Sequence, residues 1–140
     1  MQKHKAQHTL SVHASTEHLA EVRNFVARHA LHFGFEKQAV SDMRLAVDEA
    51  FTNIIKHAYK NDARQSVEIA LGHNGNTFWI SLLDSGQSFS LKDYEKPDLE
   101  RKIKCKKRGG VGVYLIKKLM DDVKYFQRGS FNEIRMTKIR

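Results

Sequence analysis

Between Glu36 and Tyr59 the apolar residues Val40, Met43, Val47, Ala50, Phe51, Ile54 and Ala58 recur at three- and four-residue steps. That spacing lines one face of a single long helix, and so continuous a face has to be buried against another layer of structure. The rest of the chain supplies that layer. "HTLSVHA" alternates and predicts a strand with Leu10 and Val12 on one face. Ser15 is placed to cap a helix from about Thr16 to His32, whose stripe includes Leu19, Val22, Phe25 and Val26, and Gly34 ends it. Asn61-Asp62 reads as a turn, and "SVEIAL" with "TFWISLLD" predicts a hairpin around "GHNGN".

From Ser85 to Arg108 the periodicity dissolves, and this stretch holds the single proline, Pro97. So long a connection without structure of its own is uncommon inside a compact domain and often marks a functional lid. A helix then carries Val113, Ile116, Leu119 and Met120 on one face, and "DVKYFQ" and "NEIRMTKI" form a last hairpin turning at Gly129-Ser130. The order is strand, two helices, two strands, lid, helix, two strands. Hairpin strands with helices gathered on one face predict a two-layer α/β sandwich, one domain covering residues 1–140.

Composition narrows the function classes. Hydrophobic residues make up 41% of the chain, enough for a packed core. No apolar run approaches the ~18–20 residues that cross a membrane. The start, "MQKHKAQHTL", has the charge of a signal peptide without its apolar centre. One cysteine, Cys105, excludes an internal disulfide and a cysteine-based zinc cluster. The expectation is a cytoplasmic protein. Its formal charge of +8 directs attention to acidic partners, and Lys102, Lys104, Lys106, Lys107 and Arg108 crowd the approach to a glycine run.

Three constellations carry chemistry. Glu49, Asn53 and His57 are spaced four apart and share one side of the long helix. A solvated flank accounts for such a strip, but asparagine is a mediocre helix former that a solvated face does not call for. A carboxylate one turn from a neutral amide oxygen suits a general base beside a Mg²⁺ ligand. His57 fits a structural role near the helix end. In "LLDSGQSF", Asp84 ends an apolar strand and Gly86 follows it. A β-turn explains the pair, as does an aspartate accepting from an adenine amino group beside a glycine that lets the base approach. Finally, Gly109, Gly110 and Gly112 open the last helix. They are either a flexible start to a packed helix or a cradle of amide N–H groups for phosphate, aided by the helix dipole. The spacing is that of neither a P-loop nor a dinucleotide fingerprint.

In that order, "DEAFTNIIKHAY", "DSGQSF" and "GGVGVYLIKKLMDDVKY" resemble the GHKL ATPase superfamily, which includes gyrase, Hsp90, MutL and the histidine kinases. Within it they are most similar to the small anti-sigma-factor serine kinases of bacterial partner-switching systems, over about Val40 to Thr137. The resemblance implies the Bergerat fold: a mixed, mostly antiparallel sheet, helices on one face, and ATP under a mobile lid at about residues 85–108. It implies Glu49 as catalytic base, Asn53 as Mg²⁺ ligand, Asp84 and Gly86 as the adenine pair, and Gly109, Gly110 and Gly112 at the phosphates. Arg108 would lie near the γ-phosphate, and Thr137 would support the adenine pocket through water. Ser88 stands where the family often has a further glycine, and Val113-Tyr114 replace commoner pairs after the glycines.

The activity implied is ATP-dependent phosphorylation of a serine or threonine on an anti-sigma antagonist, with a sigma factor as a further partner and homodimerisation compatible. At this length there is no room for a phosphoacceptor-histidine dimerisation domain or for a gyrase-, Hsp90- or MutL-like machine. The alternative is a regulatory binder whose affinity for a sigma factor or other regulator is set by ATP without efficient transfer. Retention of Glu49 argues for the kinase. Nucleic acid ranks last, since no interleaved aromatic–basic motif or DNA-binding module is present.

Overall fold

The computed structural model describes residues 6–59, 62–86 and 108–140. The expected lid lies outside them except for Ser85, Gly86 and Arg108, as do Asn61, Ser88, Pro97 and Cys105.

The chain starts with strand β1, His8–His13. Ser15 then accepts a hydrogen bond from the Glu17 amide at 3.3 Å, capping a 3₁₀ turn, Thr16–His18, that leads into helix α1, Leu19–Phe33. Gly34 adopts the left-handed φ of 111° and donates to Leu31 O, while the Phe35 amide reaches back to Ala30 O. These two bonds satisfy the last carbonyls of α1 and turn the chain into helix α2, Lys37–Asn53. The periodicity predicted helix through Tyr59. The structure instead loosens after Asn53 into a π-helical turn, Ile54–Ala58, in which the Tyr59 amide bonds Ile54 O at 3.0 Å.

Strands β2, Ser66–Asn74, and β3, Thr77–Asp84, form the predicted hairpin. Asn74 pairs with Thr77, so the turn is the two residues Gly75-Asn76, and Gly75 has the positive φ of 62° that tight hairpins require. Helix α3, Arg108–Leu119, precedes β4, Asp122–Arg128, and β5, Phe131–Ile139, which turn at Gly129 with φ 61°.

The sheet order is β1-β2-β3-β5-β4. Every pairing among the described residues is antiparallel, in keeping with the mostly antiparallel sheet expected. The cause lies in the connections. Two helices, not one, join β1 to β2, and since α1 and α2 run back and forth, the chain re-enters the sheet reversed. Alternation sends Val67, Ile69 and Leu71 of β2, Phe78, Ile80 and Leu82 of β3, and Ile134 and Met136 of β5 toward the helices, where they join one core cluster with Val22, Met43, Val47, Phe51 and Ile116. No described helix is long and apolar enough to cross a membrane.

The opposite sheet face has its own packing. A Cβ on Gly72 would lie 2.4 Å from the Trp79 ring, so the glycine makes room for the indole. Arg135 stacks 4.8 Å from the Phe126 ring and pairs with Glu133 at 2.9 Å, and Ser81 donates to Glu133 at 2.6 Å.

The chain direction fixes where functional residues gather. Near one pole, Lys138 at the end of β5 bonds Leu119 O at the end of α3 and lies 3.9 Å from Asp42 near the start of α2. The other pole therefore collects the end of α2, the end of β3, the start of α3 and the start of β5.

Candidate nucleotide site

Glu49 and Asn53 lie one turn apart in α2 and line a single cavity of about 200 Å³ with Leu19, Asp48, Thr52, Lys56 and His57. Asn53 is buried at 8% exposure, Glu49 is half-buried and His57 is exposed. Asn53 is thus no solvated surface residue. It is the last α-helical residue before the π turn, where the ladder changes. Arg23 of α1 pairs with Asp48 at 3.1 Å, tying the two helices together one residue before Glu49. Burial pushes the Asp48 carboxyl above its ordinary value, opposed by the Arg23 hydrogen bond.

Asp84 closes β3 with 4% of its surface exposed. Its Oδ1 accepts from the Gly86 amide at 2.9 Å and from Asn132 Nδ2 at 3.0 Å. Burial nonetheless pushes its carboxyl upward from the usual carboxylate range, against those two hydrogen bonds. Gly86 is required by contact: a Cβ there would stand 2.5 Å from Ala58 O and 2.7 Å from the Tyr59 ring. The glycine seats the end of β3 against the π turn. Tyr59 fastens the same junction, its hydroxyl donating to Ser66 O at 2.7 Å and accepting from the Ser85 amide at 2.8 Å.

The backbone of Arg108, Gly109, Gly110 and Gly112 is helical. The glycine run is therefore the first turn of α3, not a loop before it. The first four amides of a helix have no partner within it. By that rule the amides at the start of this helix, from Arg108 to Gly110, are the ones that would be open to an anion.

Thr137 requires a correction. The β3–β5 register pairs Asp84 with Asn132 but Trp79 with Thr137. Five residues along a strand span about 17 Å. The odd offset also turns Thr137 to the face opposite the helices, away from Asp84. The β5 side chain that reaches Asp84 is Asn132. Alternation could have found it, because Asn132 shares its face with Ile134 and Met136, a polar residue at the head of a core-facing row. Tyr59 and the π turn had no such signal.

The donor set fits nucleotide and metal. Asn53 offers one neutral oxygen, and among the described residues no group of three or more His, Cys, Asp or Glu could hold a metal. A Mg²⁺ ion typically takes one or two protein oxygens and completes its octahedron with water and phosphate, so a lone amide beside a helix N-terminus suits an ion arriving with its nucleotide.

The sequence matches the histidine kinase-like ATPase domain family over residues 12–138. Serine-protein kinase RsbW of Bacillus thuringiensis and of Bacillus cereus are each 33% identical over 118 residues, covering 81% of this chain and 73% of theirs. Among solved structures, the RsbU and RsbW domains of a Mycobacterium tuberculosis protein superpose with a TM-score of 0.66 at 15% identity, covering 95% of this chain and 32% of that one. The Acinetobacter baumannii histidine kinase AdeS gives 0.52 at 11% identity, covering 99% and 70%. The expected fold class is borne out, and the chain belongs to the histidine kinase-like ATPase domain family.

Proposed function

We infer that the protein is an ATP-dependent serine/threonine-protein kinase of the anti-sigma-factor type, acting on an antagonist protein in a bacterial partner switch and binding a sigma factor in the alternative state. The observation carrying this reading is the convergence at one pole of the Glu49–Asn53 pair, the Asp84–Gly86 pair and the glycine-rich start of α3. The similarity to RsbW serine-protein kinases supports the same activity.

In this reading Asp84 accepts a hydrogen bond from the adenine amino group, and the free amides of α3, with the helix dipole, receive the phosphates. Asn53 would hold Mg²⁺ through its side-chain oxygen, and the ion would supply positive charge to offset that of the phosphates. Glu49 takes the proton from the acceptor hydroxyl of the partner. The hydroxyl oxygen forms its bond to the γ-phosphorus as the bond to the β,γ-bridging oxygen breaks, and ADP leaves. Positioning and fixed charge supply most of the acceleration in phosphoryl transfer.

The test is direct. Purified protein is incubated with labelled ATP, Mg²⁺ and a co-encoded candidate antagonist, and the antagonist is examined for phosphoserine or phosphothreonine. Transfer that disappears in Glu49→Gln supports the kinase. Stable, ATP-dependent binding to the antagonist without transfer would overturn it.

A further inference from the structure

We propose that Asn132 is a positioning residue for nucleotide-base recognition, using one amide nitrogen to lock the Asp84 carboxylate and the Gly86 carbonyl together so that the second carboxylate oxygen faces the base. The proposal rests on the assignment of Asp84 as the adenine-reading residue.

The register carries the argument. Asn132 is the β5 residue paired with Asp84, and both side chains point to the helical face. Its Nδ2 lies 3.0 Å from Asp84 Oδ1 and 3.1 Å from Gly86 O. A carbonyl can only accept, as can an ionised carboxylate, so both contacts require the nitrogen and the orientation of the amide is settled by chemistry. Asp84 Oδ1 also receives the Gly86 amide at 2.9 Å. Two donors thus occupy one oxygen, while Oδ2 accepts no hydrogen bond from the described residues. That leaves a single, fixed acceptor for an exocyclic amine.

Few other side chains do this. Serine has one proton and serves Asp84 or Gly86, not both. Aspartate would set two carboxylates about 3 Å apart, and glutamine adds a methylene that displaces the nitrogen. From the other side Tyr59 holds the Ser85 amide at 2.8 Å, so the turn keeps an anchor when Asn132 is changed. Loss of Asn132 should free the carboxylate without dissolving the strand end. The bond from Asn132 also opposes the upward push of burial on the Asp84 carboxyl, so its loss should raise the pH needed to ionise that group.

The experiment measures ATP and GTP affinities calorimetrically from pH 5 to 8 for the full chain and for Asn132→Ala, Asn132→Ser and Asp84→Asn. Asn132→Ala is expected to weaken ATP about tenfold, the worth of a hydrogen bond to a charged group. It should also lower the ATP:GTP ratio and move the acid limb of ATP binding to higher pH, with Asn132→Ser intermediate. A structural role alone would move stability but not the ratio or the limb. If Asp84→Asn collapses the ATP:GTP ratio while Asn132→Ala and Asn132→Ser keep the wild-type ratio and pH limb, the proposal is overturned and the reading of Asp84 stands. An unchanged ratio in Asp84→Asn removes both. Should Asn132→Ala fail to fold, Asn132→Ser decides by the same two readouts.

Discussion

Gly86 and Ala58 meet backbone to backbone, with only 2.5 Å between the Ala58 carbonyl oxygen and the place a Cβ on Gly86 would occupy. Neither partner is the end of a flexible side chain, so neither yields cheaply. Gly86→Ala should therefore cost about 1–3 kcal/mol, the usual penalty for overpacking. Urea denaturation of wild type and variant at one pH measures it. An unchanged midpoint would mean the β3 end can lift off the π turn freely.

Asp84 should show a conflict between stability and function. Its folded pKa is raised from 3.8 by burial, so between 3.8 and that raised value the folded state binds more protons than the unfolded chain. Stability then falls as pH rises through this window, and at neutral pH the ionised carboxylate is a standing cost. Asp84→Asn removes that cost. We expect thermal stability at pH 7 equal to or above wild type, an advantage that shrinks as pH falls through that window and is gone below 3.8, and a loss of ATP preference on the order of 1–3 kcal/mol. Scanning calorimetry across pH, paired with ATP and GTP titrations, tests both halves.

Glu49→Gln keeps the size of the side chain and its place in the cavity wall but cannot take a proton. Binding of ATP should be unchanged, while single-turnover transfer to the partner slows at least ~10²-fold, the scale of general-base catalysis. An unaltered rate at saturating ATP would strip Glu49 of its role.

Asn53→Ala should remove the dependence of ATP affinity on Mg²⁺. Titrations with and without the metal should differ in wild type and coincide in the variant. Because Asn53 is 8% exposed, circular dichroism must first show that the helix survives.

Thr137→Val is predicted to leave ATP affinity at the wild-type value, because Thr137 pairs with Trp79 on the far face of the sheet. A tenfold loss would contradict the register on which this placement rests.

Much of this architecture was legible. Periodicity named the buried faces of α1 and α2, and glycines at 34, 75 and 129 marked the turns where positive φ is needed. What escaped was tertiary. A sequence reading extends an apolar stripe straight through Asn53, because a π turn keeps residues such as Ile54 and Ala58 on the buried side. Thr137 was matched by motif, but strand pairing depends on register, which the flanking hairpin sets and no local motif reports. The sequence marks Gly86 as a glycine beside Asp84, but not that a Cβ there would collide with the backbone of the π turn.

The π turn has a numerical consequence. It holds one residue more than a regular helical turn, and each residue of an α-helix advances the chain by about 100° and 1.5 Å. Removing the exposed Lys56 would turn the bond from the Tyr59 amide to Ile54 O into an ordinary i→i−4 bond, so a regular helical turn could deliver Tyr59 to Ser66 and Ser85 in nearly the same phase. The π turn thus takes up a surplus residue between two rulers, the helix pitch that sets Glu49 and Asn53 and the strand pitch that sets Asp84. A further residue inserted among these five positions, where the surplus is already taken up, should be far more damaging than the loss of Lys56.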